Sequence, residues 1–143
     1  MARATGNDAR GDTVGKTKDG GWEVGVRTTV PAGLEDVWDF LMEDGLAIWL
    51  GTSELVLEKG APYETTDDVR GEIRSYTPGF RLRLTWRPAV WDHDSTVQLT
   101  VREAASGTTI AFHQERLADR EERKLMLGHW KDVTARLQAA LAG

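Results

Sequence analysis

Three histidines, His93, His113 and His129, are the only side chains in this 143-residue chain that titrate near neutral pH, because it contains no cysteine. His93 stands in the run Trp91-Asp92-His93-Asp94, where two carboxylates flank an imidazole and invite a metal ion. Adjacent residues of an extended loop point in different directions, so three consecutive ligands rarely converge. The run is read as a solvated loop with no metal. His113 follows Phe112 in an alternating stretch; with Phe112 inside, His113 faces out and Gln114 returns to the inner face as a polar anchor. Glu115 then points outward. His129 neighbours Met126 and Trp130 at the edge of an apolar helical stripe. A general acid or base needs a perturbed pKa inside a cleft. Gln114, His129 and Tyr63 are the polar side chains placed to serve one, and each reads as structural before catalytic, so no catalytic residue is assigned. There is no Gly-x-Ser-x-Gly elbow and no phosphate-cradling glycine loop, and no cofactor is implied.

The elements that must position these groups follow from hydrophobic period. Trp22 to Val30 alternates, with Val24, Val26, Thr28 and Val30 on one face, and reads as a strand closed by Pro31 and Gly33. Leu34, Val37, Trp38 and Leu41 follow at helical spacing, with Glu35 and Asp36 in the first turn where they favour the helix dipole. Gly45 breaks that helix, and Leu46 to Gly51 forms a second short one ending at glycine. The period then becomes two: Ser53 to Glu58 reads as a short strand and Gly60 with Pro62 as a turn. Val69 to Tyr76 pairs with Phe80 to Arg87 across Thr77-Pro78-Gly79, a sequence suited to a type II turn. Phe80, Leu82, Leu84 and Trp86 point one way; Arg81, Arg83, Thr85 and Arg87 point the other. Val97, Leu99 and Val101 share the inner face of Ser95 to Glu103, and Ile110 and Phe112 that of Thr108 to Glu115. From Arg120 to Leu141, Met126, Trp130, Val133, Leu137 and Leu141 trace one apolar stripe of a long helix, and Asp119 caps a charged, solvated start.

Composition bounds what these elements do. The length suits one domain spanning residues 22–143, preceded by a polar, glycine-rich tail over residues 1–21 that reads as disordered. Without cysteine, a disulfide framework or thiolate zinc site is impossible. The formal net charge of −5 argues against nucleic acid. No apolar run reaches the roughly 20 residues of a membrane helix, and the N-terminus lacks a signal-peptide apolar region. A cytoplasmic protein, monomer or homodimer, is expected.

Strand, two short helices, antiparallel strands and a long helix make an α+β chain. An antiparallel sheet with one apolar face must cover it, and only the C-terminal helix is long enough. A curved sheet meets a straight helix closely at its ends and loosely between, leaving either core or pocket. Trp38, Trp49, Trp86 and Trp130 occupy inward positions and Trp91 the following loop. Each by itself reads as core; together they suggest a partly aromatic lining, because buried indole N–H groups want partners.

The segments VPAGLEDVWDFL, IWLG, VRGEIRSYTPGFRLRLTWRP, GTTIAFHQERL and GHWKDVTARLQAAL, in this order, resemble the START-like, Bet v 1-like (SRPBCC) superfamily. Within it they resemble proteins related to the activator of heat-shock protein 90 ATPase, of the C-terminal domain type. The resemblance implies a helix-grip fold: a curved antiparallel sheet of about six or seven strands gripping the long helix, with a cavity that in many relatives takes hydrophobic small molecules. Where the family often carries glycine before VRGE, this chain has Asp67-Asp68. Its GHW places Gly128 inside the final helix, where it permits a close approach to the sheet or a bend. The expected cavity is lined by Trp38, Trp49, Tyr63, Leu82, Leu84, Trp86, Trp91, Leu99, Phe112, Gln114, Met126, His129, Trp130 and Val133.

Three functions compete. The leading one is binding of a small hydrophobic molecule; the second, a cyclase or dehydratase acting on polyketide-like substrates; the third, a chaperone-associated interaction domain. For the third, the outer arginines Arg70, Arg74, Arg81, Arg83 and Arg87 offer an acidic partner a surface, unless groups such as Glu72 neutralise them across the strands.

Overall fold

The computed structural model describes Gly15, Lys16 and residues 21–142; most of the tail expectation lies outside the described residues. Gly15 and Lys16 join the start of the first strand, through Glu23 N–H on the Gly15 carbonyl and a bridge from Lys16 to Trp22. The element order is β1 (Trp22–Val30), α1 (Leu34–Met42), α2 (Leu46–Trp49), β2 (Pro62–Glu64), β3 (Val69–Thr77), β4 (Arg81–Pro88), β5 (Ser95–Ala104), β6 (Gly107–Leu117) and α3 (Arg120–Ala140).

Six antiparallel strands form one curved sheet in the order β1-β6-β5-β4-β3-β2. Register carries the two-residue period across the sheet: Leu82 opposes Leu99, which opposes Phe112, which opposes Val26. Burying Leu82, Leu84 and Trp86 stabilises the fold by about 1.5–3 kcal/mol each. On the inner face lies α3, with Met126, Trp130, Val133 and Leu137 buried against β1 and β6. Thr28 Oγ1 of β1 also donates to Gln138 of α3. The result is the helix-grip architecture. No helix among the described residues is long and apolar enough to cross a membrane.

Local signals hold where chemistry dictates them. Phe80 N–H bonds the Thr77 carbonyl at 3.0 Å and Gly79 has φ +73°, the type II geometry expected of Pro-Gly. Asp119 accepts from Glu122 N–H at 2.8 Å, while the Glu122 carboxylate accepts from Ala118 N–H at 2.9 Å. Asp68 takes φ +61°, a left-handed conformation that explains glycine at this turn in the family.

Four expectations are corrected. Ser53 to Glu58 alternates, with Leu55 and Leu57 against the core, but forms no strand. The free edge of β3 is taken by β2, which begins at Pro62 where a missing N–H is tolerated. Phe80 leaves the inner face; it is half-buried beside the guanidinium groups of Arg81 and Arg102. Gly128 is exposed, and a Cβ there would meet nothing within 4 Å, so close helix–sheet approach is not its reason. His93 does not stand in a solvated loop, as described next.

Candidate functional site

The middle of the gripped interior is filled by aromatic rings. Phe112 of β6 stacks on Trp130 of α3 at 4.7 Å and 13°, and Trp49 of α2 leans on Phe112 at 5.8 Å. Polar atoms here are matched. Trp130 Nε1 donates to Gln114 Oε1 at 2.8 Å, Gln114 Nε2 donates to Ser95 Oγ at 2.9 Å, and Ser95 Oγ donates to the Trp86 carbonyl at 2.6 Å. Gln114 is thus the inward polar anchor its position implied, with both ends of its amide committed. Leu82, Leu84, Leu99, Met126 and Val133 complete this buried set.

At one end the grip opens. Trp49, Leu50, Thr65, Val69, Trp86 and His129 belong to the lining of a hollow of about 610 Å³, between α2, the β2–β3 loop and α3, with Arg136 at its rim. Trp86 is only 7% exposed, yet among the described residues its indole N–H makes no hydrogen bond. Those of Trp49 and Trp130 do, the former on the Leu41 carbonyl at 2.8 Å. His129 packs beside Trp86 at 6.0 Å and edge-on to Trp130 at 4.7 Å. His129 remains an exposed residue, but partial loss of water around the ring lowers its pKa from the usual histidine value; Asp132 opposes that shift and Arg136 adds to it. At neutral pH it is an uncharged donor–acceptor at the mouth.

The remaining expected residues lie elsewhere. Trp38 stacks on Tyr76 at 6.1 Å. Tyr63 packs over Gly71 and donates to the Thr85 carbonyl at 2.6 Å, and burial pushes its phenol far above its usual range. It faces a second, larger hollow of about 890 Å³ outside β2–β4, rimmed by Glu64, Arg70, Glu72, Arg87 and Asp94. Size favours that hollow, but its charged, open walls suit water; the aromatic mouth suits an organic ligand. Trp91 meets Trp86 edge-on at 5.4 Å and stacks on His93 at 4.9 Å.

His93 is the residue whose setting the sequence concealed. Its Nε2 lies 2.9 Å from Glu122 Oε1 at the start of α3, and its Nδ1 lies 3.0 Å from the Asp94 carbonyl. Partial burial disfavours its charge, but the Glu122 hydrogen bond, the Asp94 carbonyl and the charges of Glu122 and Asp92 outweigh that and raise its pKa. With both nitrogens engaged, the loop serves as a clasp on α3. Among the described residues no group of three or more histidines and carboxylates converges on a metal position.

The model of a family described as Activator of Hsp90 ATPase homolog 1-like protein matches residues 31–142. The chain belongs to this family. No curated protein matches it. Among solved structures, MLL2253 from Mesorhizobium loti aligns with a TM-score of 0.72 and 20% identity over 83% of this chain and 96% of that one. CalU16 from Micromonospora echinospora aligns at 0.75 and 18% over 86% and 76%. DynU16, from the dynemicin biosynthetic locus, aligns at 0.69 and 24% over 83% of this chain and 46% of its own. These likenesses establish the Bet v 1-like fold.

Proposed function

We propose that the chain binds a small hydrophobic molecule at the mouth of the grip, against Trp49, Trp86 and His129. The observation that carries this reading is the Trp86 indole: a side chain almost wholly buried, on the wall of a hollow of about 610 Å³, with a donor the protein leaves unmatched. The indole nitrogen is reached by solvent from the hollow, so a ligand oxygen there would take the place of water as its acceptor. The apolar part of the wall, Ile48, Trp49, Leu50, Val69 and Trp86, suits an organic ligand, while threonines, Asp67 and Arg136 make the other part polar. The neighbour DynU16 comes from the dynemicin biosynthetic locus, which is in keeping with a small organic ligand.

Of the three polar groups a catalytic reading would need, Gln114 and Tyr63 are bonded within the fold. Only His129 opens on the hollow, so binding is the better-supported function. The test is a titration with 1-anilinonaphthalene-8-sulfonate, whose own emission rises in an apolar site. Trp86→Phe removes the donor while keeping an aromatic wall, and the affinity should fall about five- to tenfold. Trp38→Phe, at the Tyr76 stack, should leave it unchanged. Equal affinities for wild type and Trp86→Phe, or no saturable binding, would remove the basis of this reading.

A further inference from the structure

The outer sheet face divides by charge. Around the middle and toward β2 most basic side chains stand beside a carboxylate: Arg83 with Glu115, Arg74 with Glu72 at 3.2 Å, Arg87 with Asp94 at 3.9 Å, and the His113 ring near Glu23 at 3.7 Å; Arg70 of β3 has no ion pair among the described residues. At the end near the Pro78-Gly79 turn, Arg27, Arg81 and Arg102 have no ion pair among the described residues. Register brings them together. Arg81 opposes Thr100, two residues before Arg102; Arg102 opposes Thr109, and Arg27 opposes Ala111. With strands about 4.8 Å apart and alternate residues about 6.8 Å apart, the Cα atoms of Arg81 and Arg102 lie about 8 Å apart and those of Arg102 and Arg27 about 12 Å.

Two details make this more than a solvated basic stripe. Phe80, displaced from the core, has the guanidinium groups of Arg81 at 5.6 Å and Arg102 at 5.5 Å from its ring centroid. The ring restrains both side chains and lowers the entropy lost when they bind something. In addition, Arg81 Nε is buried without any hydrogen-bond partner. That atom is sealed from solvent, so a carboxylate would engage the terminal nitrogens of this half-buried side chain rather than Nε.

We propose that Arg27, Arg81 and Arg102, braced by Phe80, form a docking surface for a short acidic segment of a partner protein in extended conformation. A single small anion cannot span these separations, whereas carboxylates on alternate residues of an extended segment recur every 6.8 Å or so. A nucleic acid gains affinity by covering many phosphates, and beyond these three the other outer arginines are paired with carboxylates except Arg70, which stands apart at the β2 side of the sheet.

The probe is a fluorescein-labelled decapeptide of alternating glutamate and threonine, followed by anisotropy against the full chain at low ionic strength and at about 0.5 M salt, where the screening length is only a few Å. Wild type should bind at low salt and release the peptide at high salt. Arg81→Gln/Arg102→Gln should weaken binding about tenfold, and Arg27→Gln about threefold. Arg74→Gln/Arg87→Gln, from the paired half, should change it by less than about twofold. Thermal melts establish that each variant is folded; Arg27, exposed on β1, carries the test if the double variant is not. Equal weakening by the two double variants, absence of low-salt binding, or tighter binding of a single-stranded oligonucleotide of equal charge would overturn the proposal.

Discussion

Trp130 and Trp86 lie on the two sides of His129, both at least nine-tenths buried, yet their surroundings differ. Around Trp130 every polar atom is answered: indole to Gln114, Gln114 to Ser95, Ser95 to the backbone of β4. Around Trp86 the indole N–H is left open and the wall falls away into a hollow. Residue type and burial are the same, so neither identifies a binding position. What separates the two is the hydrogen-bond partner of the indole, present for Trp130 and absent for Trp86 among the described residues.

That contrast can be broken from the closed side first. Gln114→Leu keeps the volume but strands the Trp130 N–H in a dry interior and removes the donor that Ser95 Oγ accepts from, and should cost about 2–4 kcal/mol in urea unfolding. A loss under about 1 kcal/mol would mean water or local relaxation replaces the amide, and the two regions would not differ as described. Gly128→Ala, on the solvent side of the same helix, should do the opposite. With open space at the Cβ it gains helix propensity alone, about 1 kcal/mol of added stability.

The smallest effect separates the two histidines. His129 has a lowered pKa, so its unfolded form binds the extra proton; its contribution is complete above the usual 6.5 and is lost as pH falls through the lowered folded value. His93 has a raised pKa, so its contribution is complete below 6.5 and is lost as pH rises through the raised value. The two slopes oppose each other in the wild type. Melting temperatures followed from about pH 5 to 8 should therefore rise more steeply with pH in His93→Gln and less steeply in His129→Gln. Parallel curves for the two variants would remove the distinction between clasp and mouth.

Much of the fold was legible because its signals are local or periodic. The alternation of Leu82, Leu84 and Trp86, the stripe from Met126 to Leu137, the Pro-Gly turn and the Asp119 cap each follow from neighbouring residues. Gln114 was placed inside by parity alone. Ser53 to Glu58 misled because alternation reports which side is apolar, not whether a strand edge is free to pair. The His93–Glu122 clasp and the grouping of Arg27 with Arg81 and Arg102 depend on register between distant segments, which no local pattern encodes. At the mouth, Trp49, Trp86 and His129 were anticipated, but Thr65, Val69 and Arg136 arrive from a loop, a strand and a helix turn whose convergence is purely tertiary.

The position of β1 has a consequence for how the molecule is made. Among the described strands its neighbour is β6 alone, so each bond of that ladder waits for a residue about 80 to 95 positions downstream. During synthesis the five later strands can zip as successive neighbours while Trp22–Val30 stays unmatched, a sticky ribbon until the last hairpin emerges. Newly made chains that stall before Gly107 would carry that ribbon bare, a strand edge open to pairing with another chain.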